Sequence, residues 1–152
     1  MNKKAVFILV LIIALFFIGS VSAGVFDFLK SGDNSDSSAN ISVTENGQYC
    51  TVDEVAAYIK EYHKLPSNYI TKKQAQELGW QGGPLKKYAP GKSIGGDVFT
   101  NRQHALPDSD YKYIECDINA NGTSRGAERI VYNSGDFKVY YTSNHYNTFK
   151  EI

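Results

Sequence analysis

Cysteine and histidine are scarce in this chain, with two of one and three of the other among 152 residues. A zinc site needs three or four such ligands brought together, and a set this small and scattered makes a poor one, so neither metal nor cofactor is expected. Net charge is also missing. The 16 Lys and Arg cancel the 16 Asp and Glu, which excludes a general polybasic surface; any affinity for nucleic acid has to come from a local cluster. There is no internal repeat, and beyond the N-terminus there is no long apolar run.

The one such run is Ala5–Ile18, preceded by Lys3 and Lys4 and followed by small residues through Gly19–Ala23. Val21-Ser22-Ala23 has the small-x-small form of a signal-peptidase site, so residues 1–23 read as a signal peptide and the product as secreted and extracellular. The alternative is an uncleaved anchor, for which the run is short; after cleavage no stable membrane association is expected. Residues 24–48 read as a disordered linker or pro-segment, because Ser31–Asn40 is almost wholly Ser, Asp, Asn and Gly. That segment holds Asp27, Asp33, Asp36 and Glu45 against Lys30, which leaves residues 49–152 with a slight excess of Lys and Arg. The remainder has the size of one small domain with one core. Asn40-Ile41-Ser42 and Asn121-Gly122-Thr123 are glycosylation-type sequons. Cys50 and Cys116 form an even pair in an exported chain, which suggests one disulfide; two separate buried thiols are the alternative.

Helices come first in the domain. Thr51-Val52-Asp53-Glu54 has the form of a capping box, and Val52, Val55, Ala56 and Ile59 repeat at helical spacing. The helix should end near His63, before Leu65-Pro66, with His63 as a C-terminal cap rather than a catalyst. A second helix starts at the capping box Thr71-Lys72-Lys73-Gln74 and stops at Leu78-Gly79. Lys72 and Lys73 occupy its first turn, where the helix dipole is already positive; they sharpen an anion site or simply extend into water. Strands follow: Ser93–Phe99, two strands within Tyr113–Tyr132 joined by the polar Ala120–Ser124, one with Phe137, Val139 and Tyr141 alternating against Lys138 and Tyr140, and a short one at Thr148–Ile152. Helices and then an antiparallel meander give an α+β domain, with the first helix covering the apolar face of the sheet.

Alternation assigns the faces of the central pair. Ile114, Cys116 and Ile118 point one way, and Glu115 and Asp117 the other; Ile130 and Tyr132 oppose Arg129 and Val131. Cys116 thus lies under the helix that Cys50 introduces, where the two can meet. The opposite face carries a carboxylate and an arginine, with Arg125 close by. This is either a solvated ion-pair ladder or a site for phosphate chemistry, in which the base removes a proton while guanidiniums hold the anion.

Longer ordered blocks favour the second reading. Tyr62-His63-Lys64-Leu65-Pro66, Asn68-Tyr69-Ile70-Thr71-Lys72, Ala89-Pro90-Gly91-Lys92-Ser93-Ile94-Gly95-Gly96-Asp97, Asn101-Arg102, Asp117-Ile118-Asn119, Arg129-Ile130 and His145-Tyr146 with Thr148-Phe149 occur in this order. In them the chain, from Thr51 to Ile152, resembles the barnase-like ribonucleases, guanine-preferring enzymes secreted by bacteria. The resemblance implies the microbial ribonuclease fold, with helices on one face of an antiparallel sheet. It implies cleavage of single-stranded RNA through a 2′,3′-cyclic phosphate, with Glu115 as general base and His145 as general acid. Lys72, Arg125 and Arg129 become the phosphate cations. Phe99, Thr100, Asn101, Arg102 and Gln103 become the base-binding loop, and Tyr146 lies beside the phosphate. Among partners it implies a barstar-like acidic inhibitor protein, and the chain is expected to be a monomer. Three positions depart from the pattern: Thr100 replaces a Ser, Gln103 a Glu, and Ser124 an aromatic. An exported RNA-binding domain without catalysis is the competing reading.

Overall fold

The computed structural model describes residues 41–152. The expected signal peptide, and the linker as far as residue 40, lie outside the described residues. Helix α1 spans Val52–Tyr62 and α2 spans Lys72–Glu77. Six strands, β1 Tyr69–Ile70, β2 Ser93–Phe99, β3 Tyr113–Asp117, β4 Arg129–Asn133, β5 Val139–Thr142 and β6 Lys150–Glu151, form one sheet in sequence order. The α+β architecture is as expected.

The core follows from the alternation. Val55, Ala56 and Ile59 of α1 pack on Cys116, Ile118, Ile130, Tyr132 and Val139 of the sheet, with Tyr69 at the edge. Fully burying one such aliphatic side chain stabilises the fold by about 1.5–3 kcal/mol. The other sheet face is partly closed by a second cluster, in which Leu106, Tyr113, Val131 and Tyr140 support Phe99, Tyr146 and Phe149. A third group, Ala75, Trp80, Leu85, Ala89 and Ile94, anchors α2 and the loop after it.

Several expectations change. The sheet is not wholly antiparallel: Tyr69–Ile70 forms a short edge strand parallel to β2, too brief to leave a period-2 signal. The capping box at Thr51 does not form. Its hydroxyl donates to the Glu54 carboxylate instead of accepting from the helix amides, whereas the box at Thr71–Gln74 is complete. α2 ends in a Schellman turn. Gly79 takes φ +94°, Trp80 N–H donates to Ala75 O, and Gly79 N–H donates to Gln76 O. Phe137 is not in a strand; it sits at φ +58° and stacks on His63 at 4.0 Å between ring centroids, so β5 begins only at Val139.

The expected Cys50–Cys116 disulfide is absent and both thiols are free. Cys116 is buried beside Tyr69, and the Tyr69 hydroxyl donates to Asp117 O at 2.9 Å. Burial raises the pKa of both thiols, so neither is an activated thiolate.

The ordered region also begins before Tyr49. Val43 O accepts from the Tyr62 hydroxyl and Glu45 O from the Tyr58 hydroxyl, and the Glu45 carboxylate pairs with Lys64 at 2.7 Å. This strap holds residues 43–49 on α1, so the end of the expected linker is part of the domain.

Candidate active site

A bulge in β2 prepares one wall of the site. Gly95 approaches its neighbours so closely that a Cβ would stand 2.6 Å from both the Cys116 and the Tyr69 side chains, and Gly96 takes φ +99°. The register shifts between Gly95 and Asp97. An extra residue of this kind re-aims the side chains that follow it. Asp97 then accepts the Lys72 backbone N–H at 2.9 Å, so the first amide of α2 is satisfied by a carboxylate. Lys73 points outward and is exposed.

The first turn of α2 sends the Lys72 side chain toward β3. Lys72 Nζ donates to Glu115 Oε1 at 2.6 Å, and the Tyr146 hydroxyl donates to Glu115 Oε2 at 2.8 Å. Glu115 is thus held on both oxygens, with 12% of its side chain exposed. Burial first, and then the bond to Glu115, push the Tyr146 phenol well above its ordinary value, so it stays a donor. His145 and Tyr146 both take positive φ, 54° and 69°. Non-glycine residues rarely adopt this region, and the surrounding loop fixes it. His145 N–H donates to Ala127 O, and Tyr146 N–H donates to the Thr142 hydroxyl. The turn presents the exposed imidazole at the mouth of the cleft, its ring 4.8 Å from that of Tyr146. Tyr146 therefore bridges the carboxylate and the imidazole.

Both arginines depend on Asp117, which is 2% exposed. Arg125 donates to its two oxygens at 2.7 and 3.0 Å, and this pairing raises the Arg125 pKa. Arg125 also lies over the Trp80 ring, 5.5 Å from its centroid. Arg129 Nε stands 3.0 Å from Asp117 Oδ1 but off the line of a hydrogen bond, while its Nη1 donates to the carbonyls of Arg125, Gly126 and Glu128. A buried carboxylate with two guanidiniums leaves one positive charge in excess at the cleft. Asp117, Asp97 and Trp80 join the site only through the structure. The signal for Asp117 was present, since alternation places it on the face of Glu115 and Arg129.

A cleft of about 320 Å³ opens beside this group, lined by Phe99, Thr100, Asn101, Arg102 and Gln103 together with His145 and Tyr146. All five residues of the expected base-binding loop line it. Phe99 stacks on Tyr146 at 5.2 Å. The Asn101 side chain is consumed within the loop, donating to Leu106 O at 2.9 Å and accepting from Leu106 N at 3.0 Å, so it shapes the loop. Lys72 lies outside this cleft, on the wall of a neighbouring one with Gln76 and Trp80.

A carboxylate, an imidazole and clustered cations beside a pocket, on the open face of an α+β sheet, fit the class of enzymes that break phosphodiesters. Comparison narrows the class. The pattern of the ribonuclease family matches residues 52–152. A ribonuclease from Heyndrickxia coagulans is 50% identical over 105 residues, covering 67% of this chain and 95% of that protein. Ribonucleases from Bacillus intermedius and Bacillus pumilus show the same identity over 64% of their length. The crystal structure of ribonuclease Sa2 with guanosine-2′-cyclophosphate aligns at 33% identity and TM-score 0.34, over 59% of this chain and 88% of that one. The chain belongs to the ribonuclease family, and it is an endoribonuclease acting on RNA.

Proposed function

We propose that the enzyme cleaves single-stranded RNA by transphosphorylation without a metal. The observation that carries this reading is Glu115, gripped by Lys72 and by Tyr146, which itself lines the base cleft. Glu115 takes the proton of the ribose 2′-OH, whose oxygen attacks the adjacent phosphorus. Protonated His145 gives a proton to the departing 5′-oxygen, and a 2′,3′-cyclic phosphate remains. Lys72, Arg125 and Arg129 stabilise the charge that grows on the phosphoryl oxygens. Hydrolysis of the cyclic product reverses the roles, with His145 as base and Glu115 as acid. DNA lacks the nucleophile and is not cut.

The base cleft supports a preference for guanine, read by the backbone of Asn101 and Arg102 and relaxed by Gln103. The excess positive charge supports recognition by an acidic inhibitor protein of the barstar kind. The apolar run at Ala5–Ile18 supports secretion, with the domain acting as a monomer.

The test is RNA cleavage in EDTA by the wild type, Glu115→Ala and His145→Ala. Wild-type activity should persist, and each variant should lose at least a hundredfold, the lower end of what a general acid or base contributes, roughly 10²–10⁴. Activity abolished by EDTA, or full activity in either variant, overturns the mechanism.

A further inference from the structure

The catalytic cations do not stand alone. Between Glu77 and Asp97 the chain holds Lys86, Lys87 and Lys92 and no carboxylate, and residues 118–127 hold Arg125 and no carboxylate. The fold docks these two acid-free segments onto each other. Lys86 N–H donates to Gly122 O at 2.8 Å, and the Lys92 carbonyl stands 3.1 Å from where a Gly122 Cβ would lie. Only glycine fits there, because Gly122 also takes φ +71°. Gly122 is three residues before Arg125, and three extended residues reach at most about 11 Å. The lysine loop is therefore tied within a short span of the arginine pair. Its inner side rests on the same framework, since the Trp80 indole N–H donates to Gly83 O and the Trp80 ring lies under Arg125.

Within this arrangement the lysines differ. Lys92 Nζ is engaged with Ser67 O at 2.9 Å. Lys86 and Lys87 are exposed, and among the described residues neither forms an ion pair. Lys87 lies over the Tyr88 ring at 5.6 Å from its centroid. A tethered pair of unneutralised ammonium groups beside the phosphate site of a chain with no net charge is a local anion site on an otherwise neutral protein. An open cleft lined by Lys72, Gln76, Trp80, Gln81 and Gly82 runs from the first turn of α2 to the start of the lysine loop.

We propose that Lys86 and Lys87 form a secondary phosphate-binding site for the RNA chain beyond the nucleotide being cleaved. They engage the backbone of longer substrates and make no contact with a dinucleotide. The ligand class is the phosphodiester backbone of single-stranded nucleic acid, without base selection. This inference rests on the ribonuclease reading of the neighbouring site.

The experiment compares wild type, Lys86→Gln/Lys87→Gln and Lys86→Arg/Lys87→Arg. kcat/KM is measured on a long single-stranded RNA and on the dinucleotide GpA over a range of salt, and affinity is measured for an oligodeoxythymidylate that the enzyme cannot cut. In the Gln variant, efficiency on long RNA and affinity for the DNA oligomer should each fall about tenfold at low salt. The log–log salt slope on long RNA should shrink by about 1.4, because each single-strand phosphate contact contributes roughly 0.7. Cleavage of GpA should be unchanged, and the Arg variant should behave as wild type. An unchanged slope and oligomer affinity in the Gln variant, or equal losses on GpA and long RNA, overturn the proposal. Failure of the catalytic assignment looks different: the wild type then leaves GpA intact, while oligomer binding still reports on the two lysines.

Discussion

Asp117 shows how much of this site is decided by one residue that touches no substrate. It is the buried last residue of β3, paired with Arg129 of β4, and it holds Arg125 through a two-point contact and Arg129 through an ion pair. Removing one partner of a buried ion pair leaves the other charge uncompensated, at a cost of about 3–5 kcal/mol. Asp117→Ala should therefore lower the urea unfolding free energy by that amount, and a loss within error of zero in urea titration contradicts the assigned pairing. In the proposed mechanism Gln103 acts at the same scale but on selectivity. A carboxylate at its position accepts from both N1–H and N2–H₂ of guanine; the Gln amide accepts from one donor and opposes the other with its own NH₂. Losing one such contact costs about 1–3 kcal/mol. In Gln103→Glu, the ratio of kcat/KM for GpN over ApN dinucleotides should rise roughly ten- to a hundredfold. A ratio that is unchanged or lower means that Gln103 does not read the base.

Elements separate what the sequence pattern specifies from what tertiary contact decides. Thr51-x-x-Glu54 and Thr71-x-x-Gln74 carry the same signature, yet only the second forms the reciprocal bonds. At the first, the threonine hydroxyl turns to the Glu54 carboxylate, and the strap of residues 43–49 is fastened to α1 by Tyr58 and Tyr62 and to the turn after it by Lys64. Thr71→Ala should cost about 1 kcal/mol, the usual value of a helix cap, and Thr51→Ala clearly less. Chemical denaturation of the two variants decides it, and equal losses contradict the difference in capping. The strap itself was illegible for a related reason. Two of its three contacts are made by the backbone carbonyls of Val43 and Glu45, which leave no mark on side-chain composition. β1 escaped notice because two residues carry no periodicity, and Phe137 because alternation continues through a residue whose left-handed backbone has already left the strand.

Across the whole molecule, the strong patterns were legible and the geometry built by close approach was not. The helix repeat of Val55, Ala56 and Ile59 and the alternation through β3 and β4 gave the layers, the covered face and the face of Glu115. The free thiols, the Gly95–Gly96 bulge and the role of Asp97 depend on how β2 and β3, more than thirty residues beyond α1 in the chain, settle against their neighbours. The candidate site inherits this long-range character. It draws Lys72 from α2, Phe99–Gln103 from the end of β2, Glu115 from β3, Arg129 from β4, and His145 and Tyr146 from the turn after β5. The site is complete only when all these elements are assembled, so ligand binding is linked to folding. A ligand that binds only the folded state stabilises it by RT ln(1 + [L]/Kd), about 2.7 kcal/mol at a hundredfold excess over Kd. Guanosine 3′-monophosphate, which offers a base to the cleft and a phosphate to the arginines, should then raise the melting temperature by several degrees. Tyrosine fluorescence and far-ultraviolet circular dichroism should shift together, because the site and the helix–sheet core melt as one unit. Adenosine 3′-monophosphate should give a smaller shift, and inorganic phosphate the smallest. A shift seen by only one probe means that the site unfolds separately from the core. No shift at saturating guanosine 3′-monophosphate means that the cleft at Phe99–Gln103 is not where the nucleotide binds.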